Sequence, residues 1–116
     1  MNAKYLARLR RVAERNMTQT AIIKRLTKTS DDAGGYTSAW ATAATSPCAA
    51  TTSLGQSEQA LAQRLAVVNA WVVRLPAGTE VAPEDRIVIG SDTLEVVHVS
   101  SGTWETVRMV LCKQIT

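Results

Sequence analysis

Residues 85–113 decide the fold: Asp85-Arg-Ile-Val-Ile89, Gly90-Ser-Asp92, Thr93-Leu-Glu-Val-Val-His-Val99, Ser100-Ser-Gly102, then Trp104 to Lys113. Runs rich in β-branched residues alternate with short Gly, Ser and Asp clusters. Gly90-Ser-Asp92 between two such runs is a hairpin signal. The stretch predicts a three-strand antiparallel meander: Ile87–Ile89, Leu94–Val99 and Trp104–Lys113. In the middle run Leu94 and Val96 share one face, and Val97 and Val99 the other. A strand apolar on both faces is expected to be covered on both.

Moving toward the N-terminus, Val67–Leu75 reads as a further strand, stopped by Pro76-Ala-Gly78. Pro83-Glu-Asp85 is a turn in which Asp85 is placed to accept backbone N–H groups. Tyr36–Thr45 alternates Tyr36, Ser38, Trp40 and Thr42 along one side. Thr20–Lys28 sets Ile22, Lys24 and Leu26 on one face against Ile23 and Arg25 on the other. Ser30-Asp-Asp-Ala-Gly-Gly35 joins these two as a turn. Six strands in one 116-residue chain predict a mainly β fold, a small antiparallel barrel, because closure removes exposed edges.

Two segments lie outside that pattern. Residues 49–66 read as a long inserted loop between strands. It has helical character from Glu58, with Leu54, Leu61 and Leu65 at helical spacing and Ser53 with Gln56 as a loose capping box. Such a segment is expected to be mobile or partner-dependent. Residues 3–16 read as a helix within an N-terminal segment 1–17. Leu6, Leu9, Val12 and Ala13 form a narrow apolar stripe, with Arg8, Arg11 and Arg15 on an adjoining basic face. A narrow stripe beside a cationic face predicts a docking helix rather than a core helix.

Charge is divided along the chain. Residues 1–28 hold eight basic side chains against Glu14 alone, a net of +7, while the other 88 hold five basic and nine acidic, a net of −4. A basic arm on an acidic body can meet nucleic acid or an acidic protein surface. No apolar run has the roughly 18 residues needed to span a bilayer, and the first residues lack the apolar core of a signal peptide. The expectation is a cytoplasmic chain, with no membrane partner, in which Cys48 and Cys112 stay reduced.

Catalytic patterns are missing. His98 stands alone in mid-strand, and no nucleophile elbow surrounds any serine. Cys48, His98 and Cys112 lack metal-ligand spacing. The glycine pairs fit neither a phosphate loop nor a dinucleotide fingerprint. The expectation is a non-enzymatic protein without catalytic residues, cofactor or metal. Aromatic–basic pairs that could serve a nucleic-acid reader are Trp71 with Arg74 and Trp104 with Arg108.

Taken in order, the features resemble the head–tail joining family of tailed bacteriophages, also called head-closure or stopper proteins. They are the basic helix Leu6–Met17, Thr20-Ala-Ile-Ile-Lys-Arg25, Asp32-Ala-Gly-Gly-Tyr-Thr-Ser-Ala-Trp40, Ser46-Pro-Cys48, Ala70-Trp-Val-Val-Arg-Leu-Pro-Ala-Gly-Thr79, Asp85-Arg-Ile-Val-Ile-Gly90, Leu94–Val99 and Glu105-Thr106. The resemblance implies one domain over residues 1–116, a β-barrel with an attached helix and an inserted loop. It implies a virion neck ring of six or twelve copies, assembled in the bacterial host cytoplasm. That ring would sit between the portal or adaptor ring above and the tail tube or tail-completion ring below, with DNA passing through. On the same resemblance, Ala49–Ala66 takes the place of the channel loop. Ser53, Leu54, Gln56, Glu58 and Arg64 are then its candidate contact residues, and Arg8, Arg11 and Arg15 those of the docking helix. A sibling role as adaptor or tail-completion protein stays open. So does a small nucleic-acid-binding barrel.

Overall fold

The computed structural model describes residues 3–30, 32–100 and 105–115. Asp31, Ser101-Gly102 and Trp104, which the sequence placed in turns and at a strand start, lie outside the described residues. The elements in chain order are α1 (Ala3–Arg15), β1 (Gln19–Ser30), β2 (Tyr36–Thr51), α2 (Gln56–Arg64), β3 (Ala70–Pro76), β4 (Arg86–Ile89), β5 (Asp92–Val99) and β6 (Val107–Gln114). The protein is mainly β. Its strands pair antiparallel in the order β1-β2-β3-β6-β5-β4, and β4 pairs back onto β1, so the sheet closes on itself in a ring.

The meander forms as the sequence reads. Ile89 pairs with Asp92 across Gly90 and Ser91. Gly90 takes φ 60°, the positive angle that a two-residue hairpin loop demands and that glycine adopts without strain. Inside the ring lies one apolar core built from alternate residues of all six strands: Ala21 and Ile23, Cys48, Val73 and Leu75, Ile87 and Ile89, Leu94 and Val96, Val110 and Cys112. Strand geometry sends every second side chain inward, so the period-two runs supply this core directly.

Strand limits and cover differ from expectation at several places, among them β6, which starts at Val107 rather than at Trp104. β2 continues past Thr45 to Thr51, because Ala49, Ala50 and Thr51 pair with Arg74, Val73 and Val72. Pro47 lies within β2 where the side away from β1 has no partner strand; its missing N–H costs no ladder bond there. β3 starts at Ala70 rather than Val67. Val67 N–H closes α2 by donating to Ala62 O, and Ala66 and Asn69 take left-handed φ of 54° and 55°. β5 was expected to be covered on both faces, with Val97 and Val99 on the second, but Val97 is only half-buried, and beyond the bulge between Val96 and His98 Val99 packs against the ring core instead. The doubly covered strands are β3 and β6: Val72 and Leu111 point away from the ring interior and are buried under Ala62 of α2, with Leu54 and Leu61 beside them.

Cys48 and Cys112 are free thiols in the ring core. Burial raises both above the ordinary thiol range, Cys112 to about 12. The thiolate is the reactive species. Both groups should therefore be inert to a thiol reagent at pH 8 in the native protein and both titrate after denaturation. A native disulfide would leave neither. Because the buried Cys112 thiol holds its proton more tightly than an unfolded one of about 9, its contribution to stability is complete below about pH 9. That contribution falls as pH rises toward 12.

Candidate assembly surfaces

Three surface elements stand on the ring, and each contains residues singled out from the sequence.

The first is α1. It lies against β3 and β6, burying Leu6, with Met17 buried just beyond its end. Leu9, Arg10 and Ala13 are half-buried on the same side, and Arg10 Nε donates to Glu105 O at 2.9 Å. The expected stripe included Val12, but Val12 is 49% exposed. At about 100° per residue, Val12 falls three and four residues from Arg15 and Arg8, beside the basic row and away from Leu6. Lys4, Arg8, Arg11 and Arg15 form that row, all exposed. Arg8, Arg11, Val12 and Arg15 border a shallow surface hollow. Among the described residues none of these four cations has an acidic partner within ion-pair distance. The row is a continuous cationic strip on the side of the helix opposite its seat.

The second is the segment between β2 and β3. The expected loop 49–66 is not a loop throughout: its first three residues are strand and Gln56–Arg64 are helix. The predicted Ser53–Gln56 capping box is not the one used. Gly55 is the N-cap in extended backbone, and Glu58 reaches back to Gly55 N–H at 3.4 Å. Glu58 also meets Arg74 of β3 at 3.3 Å. Ser53 N–H donates to Thr51 Oγ1, and Leu54 packs into the cluster under α2. Gln56 opens the helix and Arg64 ends it, both exposed. The structure thus seats Leu54 and Glu58 against β3 and β6 and leaves Ser53, Gln56 and Arg64 facing outward.

The third was not read from the sequence as a site. Beyond Lys24, β1 leaves β4 and pairs only with β2, from Arg25↔Ala41 to Ser30↔Tyr36. These six pairs form a two-stranded arm about 20 Å long at 3.4 Å per residue. The arm makes the molecule long, 55 × 32 × 26 Å, with a radius of gyration of 15.8 Å; a compact chain of this length has about 13 Å. A bulge between Ile23 and Lys24, opposite the extra residue Ala43, marks where it departs from the ring. One face carries Lys24, Leu26, Lys28, Tyr36, Ser38 and Trp40; the other carries Arg25, Thr27, Thr29, Thr37, Ala39 and Ala41. Leu26 and Tyr36 are exposed, and Arg86 stacks over Trp40 at 4.1 Å from the ring centre. The pattern Lys-x-Leu-x-Lys opposite Trp40 could have marked this face, but only once the two strands' register was known.

Asp85 anchors the arm's base. Its buried carboxylate accepts Arg25 Nε at 3.2 Å, Arg25 Nη2 at 2.8 Å and Ala82 N–H at 2.9 Å. The last is the turn bond expected from the sequence. The hydrogen bond to Asp85, then the charges of Asp85 and Glu80, raise the Arg25 pKa further. A groove of about 450 Å³ runs between this pair, Leu26, Lys28, Trp40 and Glu95. Its walls carry both signs of charge. Of the aromatic–basic pairs considered for nucleic acid, Trp71 is held in the ring by donating to Gln114 Oε1 at 3.1 Å, and Trp104 is not described. Among the described residues no cluster of His, Cys, Asp and Glu could hold a metal ion, and no helix is long and apolar enough to cross a membrane.

The fold has a solved counterpart. The solution structure of protein SF1141 from Shigella flexneri 2a superposes with a TM-score of 0.73 at 13% identity, over 85% of this chain and 93% of that one. At that identity the likeness concerns the fold alone. No curated protein matches the chain in sequence. A family model does, over residues 9–113, from the end of the first turns of α1 almost to the close of β6. The chain belongs to that family, DUF6093, a family of unknown function.

Proposed function

We propose that this protein is a structural subunit of a phage neck. It forms a ring that joins the portal or adaptor to the tail and helps close the DNA channel. The observation that carries this reading is the arm: a closed sheet with a filled core has no internal need for a 20 Å ribbon held out in solvent. An element of that kind serves contacts with other chains. The exposed cationic row of α1, on the far side of the helix from its seat, supplies a second contact surface. The resemblance in feature order to head–tail joining proteins supports the same reading, including the small barrel that the closed sheet would make. In this reading α1 docks on the ring above through Arg8, Arg11 and Arg15, and the α2 segment faces the lumen or a neighbouring ring through Ser53, Gln56 and Arg64. The test is immunogold labelling of a C-terminal tag on assembled particles. A single label at one vertex, at the head–tail junction, is the expected result; label scattered over the capsid, or none, would contradict it.

The cationic row favours one rival, a nucleic-acid-binding barrel. Lys4, Arg8, Arg11 and Arg15 recur at a rise of roughly 4.5–6 Å along α1, a spacing that can follow phosphates. Filter binding across a salt series separates the two. The neck reading expects only weak binding of the free chain to DNA, whereas tight binding with a steep salt slope would support the rival.

A further inference from the structure

The arm has two free strand edges. Among the described residues, no strand pairs with Leu26–Thr29 of β1 on the side away from β2. None pairs with Tyr36–Cys48 of β2 on the side away from β1. Unpaired edges are ready templates for another chain, and proteins ordinarily blunt them with charge, proline or a bulge. The free β1 edge is blunted by Lys28, just beyond the Arg25–Asp85 pair at its base. The β2 edge is not: from Tyr36 to the bulge at Ala43 it reads Tyr-Thr-Ser-Ala-Trp-Ala-Thr, with no charge, no proline and no glycine. That is an uninterrupted stretch about 24 Å long at 3.4 Å per residue. It lies beside a cationic strand that cannot pair with its own copy without setting Lys28 near Lys28.

We infer that the β2 edge of one arm pairs with the β1 edge of the arm of a second copy of this chain. The arms thereby form one continuous antiparallel sheet around the ring. This rests on the ring reading above. One arm offers a neutral edge and a cationic edge on opposite sides, so head-to-tail pairing satisfies both with a single kind of contact. Pairing β1 with β1 meets like charge. Pairing β2 with β2 makes a closed two-fold dimer and leaves both cationic edges empty. Direction agrees as well. Copies related by rotation about an axis along the arms have every β1 running one way and every β2 the other. Each β2 then meets its neighbour's β1 antiparallel, as within the arm itself. Two strands per copy close into a cylinder whose strand number is twice the copy number. Arg25, Thr27, Thr29, Thr37, Ala39 and Ala41 share one face of that sheet.

The test uses particles assembled from mixtures of two full-length single variants. Thr27→Cys is mixed in turn with Thr37→Cys, Ala39→Cys and Ala41→Cys, all on that face, so that one partner matches whichever register forms. The native thiols are buried and stay silent. Mild oxidation is expected to give covalent dimers with at least one mixture and none with any variant alone. Thr37→Lys with Ala39→Lys, two exposed positions on the neutral strand that face Thr29 and Thr27 within the arm, is expected to lower assembly about tenfold or more. The reason is that a small repulsion repeats at every contact of the ring; the thermal transition of the free chain should not move. Covalent dimers from a β2 variant alone would show two-fold pairing and overturn the inference. Rings that assemble with no cross-link in any mixture would also overturn it while leaving the ring reading intact. Particles in which the chain makes no ring would remove the reading and the inference together.

Discussion

Reversing Arg8, Arg11 and Arg15 to glutamate is expected to lower incorporation of this chain into particles about a hundredfold, while the free protein stays folded. The seat of α1 is made by Leu6, Ala13 and Met17 and by the Arg10 bond to Glu105 O. None of the three arginines takes part in it. Exposed substitutions of this kind cost up to about 0.5 kcal/mol each. Arg15 costs somewhat more, because an acid in the last helical turn opposes the macrodipole. The thermal transition should therefore fall by up to roughly 10 °C, with the fold retained. Docking is another matter: like charges placed across an interface cost several kcal/mol, and about 2.7 kcal/mol is a hundredfold. The substitutions are preferred to removal of residues 1–16, which would also uncover the apolar seat on β3 and β6. Circular dichroism with thermal melting, alongside immunoblots of purified particles, checks both halves. Normal incorporation of the triple variant would show that the row is only a solvated face.

Replacing Asp85 by alanine is expected to destabilise the free protein by about 2–3 kcal/mol. The carboxylate is buried and accepts three hydrogen bonds, two from Arg25 and one from Ala82 N–H. Backbone groups on either side of it hold β5: Val96 N–H donates to Asp85 O at 2.8 Å and Glu84 N–H to Val96 O at 2.9 Å. Losing the side chain leaves Ala82 N–H unpaired and frees the turn that starts β4. The Arg25 end is partly solvated, its side chain 43% exposed, so removing Arg25 should cost less. Arg25→Ala is expected near 1 kcal/mol. Urea unfolding of both variants gives the order. A larger loss for Arg25 than for Asp85 would contradict this account of the arm's base.

The parts of the fold legible from sequence were those carried by local signals. Alternation and the Gly90 turn gave β4 and β5, and the apolar runs gave β3 and most of β6. The limits of β2 were hidden because Ala, Thr and Ser have little hydrophobic contrast, and because Pro47 looks like a stop when only an open edge makes it harmless. Val12 was misplaced because a narrow stripe can be drawn two ways along a helix, and only the seat on β3 and β6 chooses between them. The α2 contacts of Leu54 and Glu58 depend on where β3 and β6 lie. The Arg25–Asp85 pair joins residues sixty positions apart, and Arg86 over Trp40 is likewise a long-range contact. The arm itself became visible only when β4 proved too short to accompany β1 along its length.

A three-dimensional reconstruction of the particle neck is the decisive test of the proposed ring around a DNA channel. The expected result is density for this fold in a closed ring of six or twelve copies coaxial with the channel, with α1 toward the ring above. Neighbouring arms should lie side by side in one sheet. Finding the fold as an isolated copy on the capsid surface, or nowhere in the particle, would contradict it.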